Sequence, residues 1–182
     1  MEITIRKIDS QESPQTKFFS RKSMVVSRLA LGMENEKLIY TIVPVELPYE
    51  REYAVEDTDY GFENANVTVF FAEIVGAQHA VPLLAGRIKM MRWWNRFGYV
   101  EDIVVNPEYR WRGIGRKLLE RGIQWARENG YPGVMLETQD NNVPACRLYE
   151  SCGFVLGGFD RDVYKAINPN TKETALYWYL LF

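Results

Sequence analysis

Seven consecutive residues, Arg110-Trp111-Arg112-Gly113-Ile114-Gly115-Arg116, put three guanidinium groups and two glycines beside the start of a helical apolar period. Just upstream, the short run Glu101-Asp102-Ile103-Val104-Val105 ends at Asn106-Pro107. The order predicts a strand, a turn, a basic glycine-rich loop and a helix N-terminus. Such a loop aims bare backbone N–H groups, the positive end of a helix dipole and fixed positive charge at one point, which suits a phosphate-bearing anion. Gly113 and Gly115 would let the backbone approach a pyrophosphate with no Cβ in the way. A P-loop is excluded, because no GxxxxGK-[Ser/Thr] is present. A dinucleotide fingerprint is excluded too, because Leu118 stands where its third glycine belongs. What remains is (Arg/Gln)-x-x-Gly-x-(Gly/Ala), in Arg110, Gly113 and Gly115. Taken alone, it is equally an ordinary basic helix start.

The elements that must position this loop follow from periodicity. Residues 2–8 alternate and predict a strand; residues 18–32 fit either a helix face or a broken strand. Residues 37–46 predict a strand ended by Pro44 and Pro48. An acidic, tyrosine-rich stretch from Tyr49 follows, with no apolar period, and reads as a loop. Residues 67–75 and 83–92 predict a hairpin through Gly76–Pro82, and residues 98–105 a further strand. Ile114, Leu118, Leu119, Ile123 and Ala126 predict a helix over 113–129, closed by Asn129-Gly130. Residues 134–138 predict a strand, Pro144 to Ser151 a short helix, and 154–157 and 174–182 the closing strands. The class is α+β (mixed α/β), read as one domain over residues 1–182.

A second motif lies in residues 136–154: Asn142, Ala145, Leu148, Tyr149, Gly153 and Phe154 form N-x-x-A-x-x-L-Y-x-x-x-G-F. With the loop, it resembles the GNAT superfamily of acetyl-CoA-dependent N-acetyltransferases, over roughly the part of the chain from Val67 onward. The segments LETQDNNVPAC, CGFVLGGFD and ETALYWYL are similar to the streptothricin acetyltransferase group within it. The resemblance implies a central, mostly antiparallel, twisted sheet flanked by helices, whose central strands splay after Val105 and Thr138. It implies acetyl-CoA as donor, its pantetheine arm along Ile103, Val104 and Val105, and its pyrophosphate on Arg110, Trp111, Arg112, Gly113, Ile114, Gly115 and Arg116. Asn142 and Ala145 would line the same arm. Tyr149 would give a proton to the departing thiolate; as a residue it is equally a core aromatic of an amphipathic helix. The implied acceptor is a cationic small-molecule amine, streptothricin in the narrower resemblance.

An amine attacks only when neutral. With a lysine-like pKa of ~10.4, about one molecule in 2,500 is neutral at pH 7, which costs on the order of 4–5 kcal/mol. Glu101 and Asp102 are the carboxylates placed to take the proton. Neighbouring strand residues face opposite ways, so at most one points at the acetyl group. Glu101 is favoured as the base, with Asp102 holding a substrate cation; the reverse, and a plain surface pair, stay open. Tyr164 is a candidate substrate contact. The acidic stretch (Glu50, Glu52, Glu56, Asp57, Asp59) would attract a polycation or simply be solvated. Other acceptors (a polyamine, an aminoglycoside, a protein N-terminus) and a non-catalytic acyl-CoA sensor stay open as well.

Composition narrows the rest. Lys and Arg total 22 against 24 Asp and Glu, so a nucleic-acid partner is not expected. No apolar run reaches the ~20 residues of a membrane span, and the N-terminus lacks a signal-peptide core, so a cytoplasmic protein is expected. A single histidine, His79, and two cysteines, Cys146 and Cys152, support no metal site. Arg92 and Arg96 read as a solvated strand end. The C-terminal Tyr177-Trp178-Tyr179-Leu180 suits either a core cover or a homodimer edge.

Overall fold

The computed structural model describes residues 2–8, 22–52, 66–76 and 82–182. These belong to two compact units. The first comprises Met1–Arg21, Tyr53–Val134 and Phe182, the second Lys22–Glu52 and Met135–Leu181. The distal acidic residues 53–65 and His79 lie outside the described residues.

In the first unit, β1 (Glu2–Lys7), β4 (Val67–Val75), β5 (Leu83–Arg92) and β6 (Gly98–Val105) pair in the order β1-β4-β5-β6, every pair antiparallel. Helix α1 (Ile114–Glu128) packs on these strands. Its buried positions, Ile114, Leu118, Leu119, Gly122, Trp125 and Ala126, form one stripe at helical spacing. Each large apolar side chain there contributes about 1.5–3 kcal/mol by leaving water. Two glycines set how near the helix sits. A Cβ at Gly86 would lie 3.1 Å from Leu118 Cδ1, and one at Gly122 2.8 Å from the Met90 sulfur. On another part of the sheet, Ile8, Val69 and Phe71 form a small core cluster with Leu84 against it.

In the second unit, β7 (Gly133–Gln139, from Met135 onward), β9 (Ala175–Leu181) and β8 (Val155–Asp160) lie in the order β7-β9-β8. Helix α2 spans Val143–Ser151. A separate antiparallel ribbon joins β2 (Lys22–Glu34) and β3 (Lys37–Glu52). Trp178, 1% exposed, is the centre of this unit's core, with Tyr40 and Tyr149 at centroid distances of 6.1 and 6.4 Å. The aromatic C-terminal strand therefore covers a core.

The α+β class and the mostly antiparallel strands agree with the sequence expectation, and β4, β5, β6 and α1 fall at their expected limits. Residues 18–32 resolve as strand from Lys22 onward. Two boundaries are corrected: the strand expected at 154–157 runs from Val155 to Asp160, and the prolines do not end the strand at residue 46, since β3 runs on to Glu52. Among the described residues β3 pairs only with β2, and the register jumps from Val25↔Tyr49 to Ser27↔Pro44. The irregularity absorbs Pro48, and a proline is tolerated where no ladder N–H is required of it. The expected loop is therefore strand over residues 49–52, and its remainder lies outside the described residues. Among the described residues no helix is long and apolar enough to cross a membrane.

Candidate active site

The first unit builds the phosphate loop. Beyond Val105, Asn106 accepts the Glu108 N–H (3.2 Å) and caps a 3-10 turn over Pro107–Tyr109. Arg110 then folds back, its Nε donating to the Val105 carbonyl at 3.2 Å. Burial lowers the pKa of that guanidinium, yet an arginine stays charged at any physiological pH. The backbone turns left-handed at Trp111 (φ 64°) and Gly113 (φ 79°). Gly113 is the α1 N-cap and has no side chain to cap with; the first intrahelical bond is Lys117 N–H to Gly113 O at 3.1 Å. The backbone amides that precede it cannot find acceptors within the helix. No acidic residue sits in the first turn. A Cβ on Gly113 would meet nothing within 4 Å, so the protein itself demands glycine there for φ, and the space in front is open. The Arg112 guanidinium lies over the Tyr109 ring at 5.7 Å. This arrangement can cradle a diphosphate with amides, a dipole and guanidiniums at once.

Glu101 and Asp102 sit one strand-length before this loop. The β5–β6 register passes from Lys89↔Asp102 to Met90↔Val100, leaving Glu101 as the extra residue of a bulge. Strict alternation of faces therefore does not decide their directions. Each carboxylate has its own cation from β5. Asp102 accepts Arg87 Nε at 2.9 Å, with only 7% of the arginine side chain exposed, and Glu101 meets Lys89 at 2.9 Å in a more open position. The half-exposed Ile103 and Val105 flank the buried Val104.

The second unit carries the other candidates. Asn142 is the N-cap of α2, its amide donating to Thr138 Oγ1 at 3.4 Å. Asn142, Ala145 and Tyr149 share one face of this helix. Tyr149 is buried beside Phe154 and Trp178. Tyr164 donates to Glu137 at 2.6 Å. Burial foremost, then the Glu137 hydrogen bond and charge, push its phenol well above the ordinary value, so it remains a protonated donor. Burial, aided by Asp140, pushes the Cys146 thiol up to about 12; it is inert at neutral pH, which disfavours a cysteine nucleophile.

Sequence reasoning missed a polar cluster in this unit. Asp140 is 2% exposed; it accepts Arg28 through Nε (3.0 Å) and Nη2, and the Thr174 N–H at 3.1 Å. Its backbone also accepts from Leu29 and donates to Thr174. Asn141 donates to Tyr49 Oη and to Glu173 Oε1, both at 3.0 Å. Glu173 in turn takes a two-pronged bond from Arg51, at 2.7 and 3.1 Å. The available signal was the polar run Gln139-Asp140-Asn141-Asn142 directly after an apolar strand, since buried polar residues in such a place need partners.

Residues 36–154 match the family model described as acetyltransferase (GNAT) family. Streptothricin acetyltransferase A of Bacillus subtilis (strain 168) is 34% identical over 159 residues, 87% of this chain and 88% of that protein. The streptothricin acetyltransferase of Escherichia coli is 38% identical over 132 residues, 72% of this chain and 70% of that protein. A crystal structure of a Bacillus anthracis str. Ames protein, assigned as a candidate streptothricin acetyltransferase and solved in complex with acetyl coenzyme A, is 36% identical over all of both chains with a TM-score of 0.85. The loop that suits a diphosphate, the strands around it and these relationships agree: the chain belongs to the GNAT family and is an N-acetyltransferase.

Proposed function

We propose that this N-acetyltransferase moves the acetyl group of acetyl-CoA onto an amine of streptothricin and so inactivates the antibiotic. The observation that carries the reading is the similarity to streptothricin acetyltransferases across 87% of the chain. The phosphate loop supports the donor half of it independently. Arg110, Trp111, Arg112, Gly113, Ile114, Gly115 and Arg116 would hold the pyrophosphate, Trp111 through its backbone. The β6 residues Ile103, Val104 and Val105, with Asn142 and Ala145, would bind the pantetheine arm.

In this reading the amine nitrogen attacks the thioester carbonyl carbon. A C–N bond forms, the C–S bond breaks, and the products are an N-acetyl amide and the CoA thiol. Glu101, directly or through water, takes the amine proton, and Tyr149 gives its phenolic proton to the departing sulfur; both recover from solvent. Glu101 is the more exposed of the two carboxylates, which favours it as the base once substrate displaces Lys89. Asp102 and Tyr164 would then hold the substrate cation. The acetyl-CoA donor makes the cytoplasm the natural site of action.

The test is thiol release from acetyl-CoA with streptothricin, set beside a polyamine, an aminoglycoside and a peptide N-terminus. Streptothricin-dependent thiol release with the highest kcat/KM of the panel is expected. No release above the no-acceptor background would sink the assignment, and preference for the peptide would redirect it.

A further inference from the structure

The C-terminal end of α1, fifteen residues and about 22 Å from the phosphate loop, borders a second polar space. It is a cavity of about 510 Å³ within the first unit, lined chiefly by Asn66, Arg92, Asn95, Arg96, Asn129 and Tyr131. That volume suits a small organic ligand. Among the described residues its lining holds two guanidiniums, three carboxamides and a phenol, and no carboxylate. Among the described residues neither Arg92 nor Arg96 has a carboxylate partner.

Backbone geometry singles out Arg96. The β5–β6 turn closes through Trp93 N–H to Phe97 O (2.9 Å), Arg96 N–H to Trp93 O (3.0 Å) and Phe97 N–H to Asn95 Oδ1 (3.2 Å). This leaves Arg96 left-handed at φ 73°. Glycine would sit there without strain, whereas a side chain costs on the order of 1–2 kcal/mol. The favourable field of a helix C-terminus would accept a cation nearby, but it does not require one on a strained backbone at the wall of a cavity.

We propose that this cavity binds a small dianion, a phosphomonoester or a dicarboxylate, through the forks of Arg92 and Arg96 and the surrounding carboxamides. Both arginines are exposed; two positive charges match two negative ones, and planar guanidiniums pair with phosphate or carboxylate oxygens two at a time.

Calorimetric titration of the whole protein with glycerol phosphate and with succinate, each with and without CoA, tests it. Saturable binding of at least one probe is expected, with a Kd that CoA leaves unchanged. The Kd should rise tenfold or more in Arg92→Gln and in Arg96→Gly. Arg96→Gly removes the charge and the strain together, so its Tm should hold or rise and lost binding is not lost folding. A response to one probe alone identifies the ligand as phosphate or dicarboxylate. The site is refuted if neither probe saturates, if CoA competes, or if Arg92→Gln and Arg96→Gly bind as tightly as the parent.

Discussion

The loop at residues 110–116 and the cluster around Asp140 and Glu173 are both polar, and they rely on different atoms. In the loop, backbone amides and two left-handed residues shape the anion site, with guanidiniums around them. In the cluster, side chains bind side chains: Arg28 to Asp140, Arg51 to Glu173, Asn141 to Tyr49 and Glu173. A backbone site is sensitive to φ and to the space before the amides. A side-chain cluster is sensitive to stranded charge. Substitutions in the two regions should therefore fail in different ways.

The largest effect is expected at Tyr149, where a side chain carries the proposed chemistry. Tyr149→Phe should lower kcat about 100-fold, within the range for loss of a general acid, while KM for acetyl-CoA stays within about threefold. The ring still fills its place beside Phe154 and Trp178. Steady-state kinetics reads both numbers; an unchanged kcat removes Tyr149 from the reaction.

Next comes Arg28→Ala, which leaves the Asp140 carboxylate buried without its guanidinium. Removing one partner of a buried pair costs about 3–5 kcal/mol, and the 37% exposure of the Arg28 side chain sets this case near 3 kcal/mol. For a chain of this size that is a Tm loss of about 6–12 °C. Thermal unfolding measures it, and a loss under 2 °C would mean that the Thr174 N–H and water suffice for Asp140.

The same contrast explains what could be read from the sequence. The loop is contiguous, so Arg110, Gly113 and Gly115 announced it at fixed spacing; β4, β5, β6 and α1 were equally local patterns of period 2 or 3.6. The cluster has no such spacing. Asn141 reaches Tyr49 across 92 residues, Arg51 reaches Glu173 across 122, and Arg28 reaches Asp140 across 112. Each partner looks like an ordinary surface residue in its own stretch of chain. β3 was cut short for a related reason. Its prolines obey a rule about ladder pairing, and whether the rule applies depends on a bulge set by the partner strand.

Gly113→Val addresses the loop through its backbone. A β-branched residue at φ 79° should cost about 1–2 kcal/mol of stability. It should raise KM for acetyl-CoA about tenfold, because the strained turn misdirects the amides. Arg112→Ala, which removes charge and leaves φ alone, should raise KM by less, and more weakly still at high salt. If Arg112→Ala proves the more damaging at every salt concentration, charge rather than backbone shape governs the loop.

Trp111→Gly is the smallest effect and the finest test. The indole is 88% exposed and the residue is left-handed at φ 64°. Its strain costs on the order of 1–2 kcal/mol, and glycine would remove it. Glycine also frees the unfolded chain, which takes back about 0.5–1 kcal/mol. The net is a gain of about 0.5 kcal/mol, a Tm rise of about 1–2 °C. If the loop holds the cofactor through its amides, KM for acetyl-CoA should move less than threefold, since the backbone keeps its path. A rise of tenfold with an unchanged or higher Tm would mean that the indole itself touches the cofactor. The strain at Trp111 would then be retained for its ring, and the loop would depend on a side chain in the manner of the cluster.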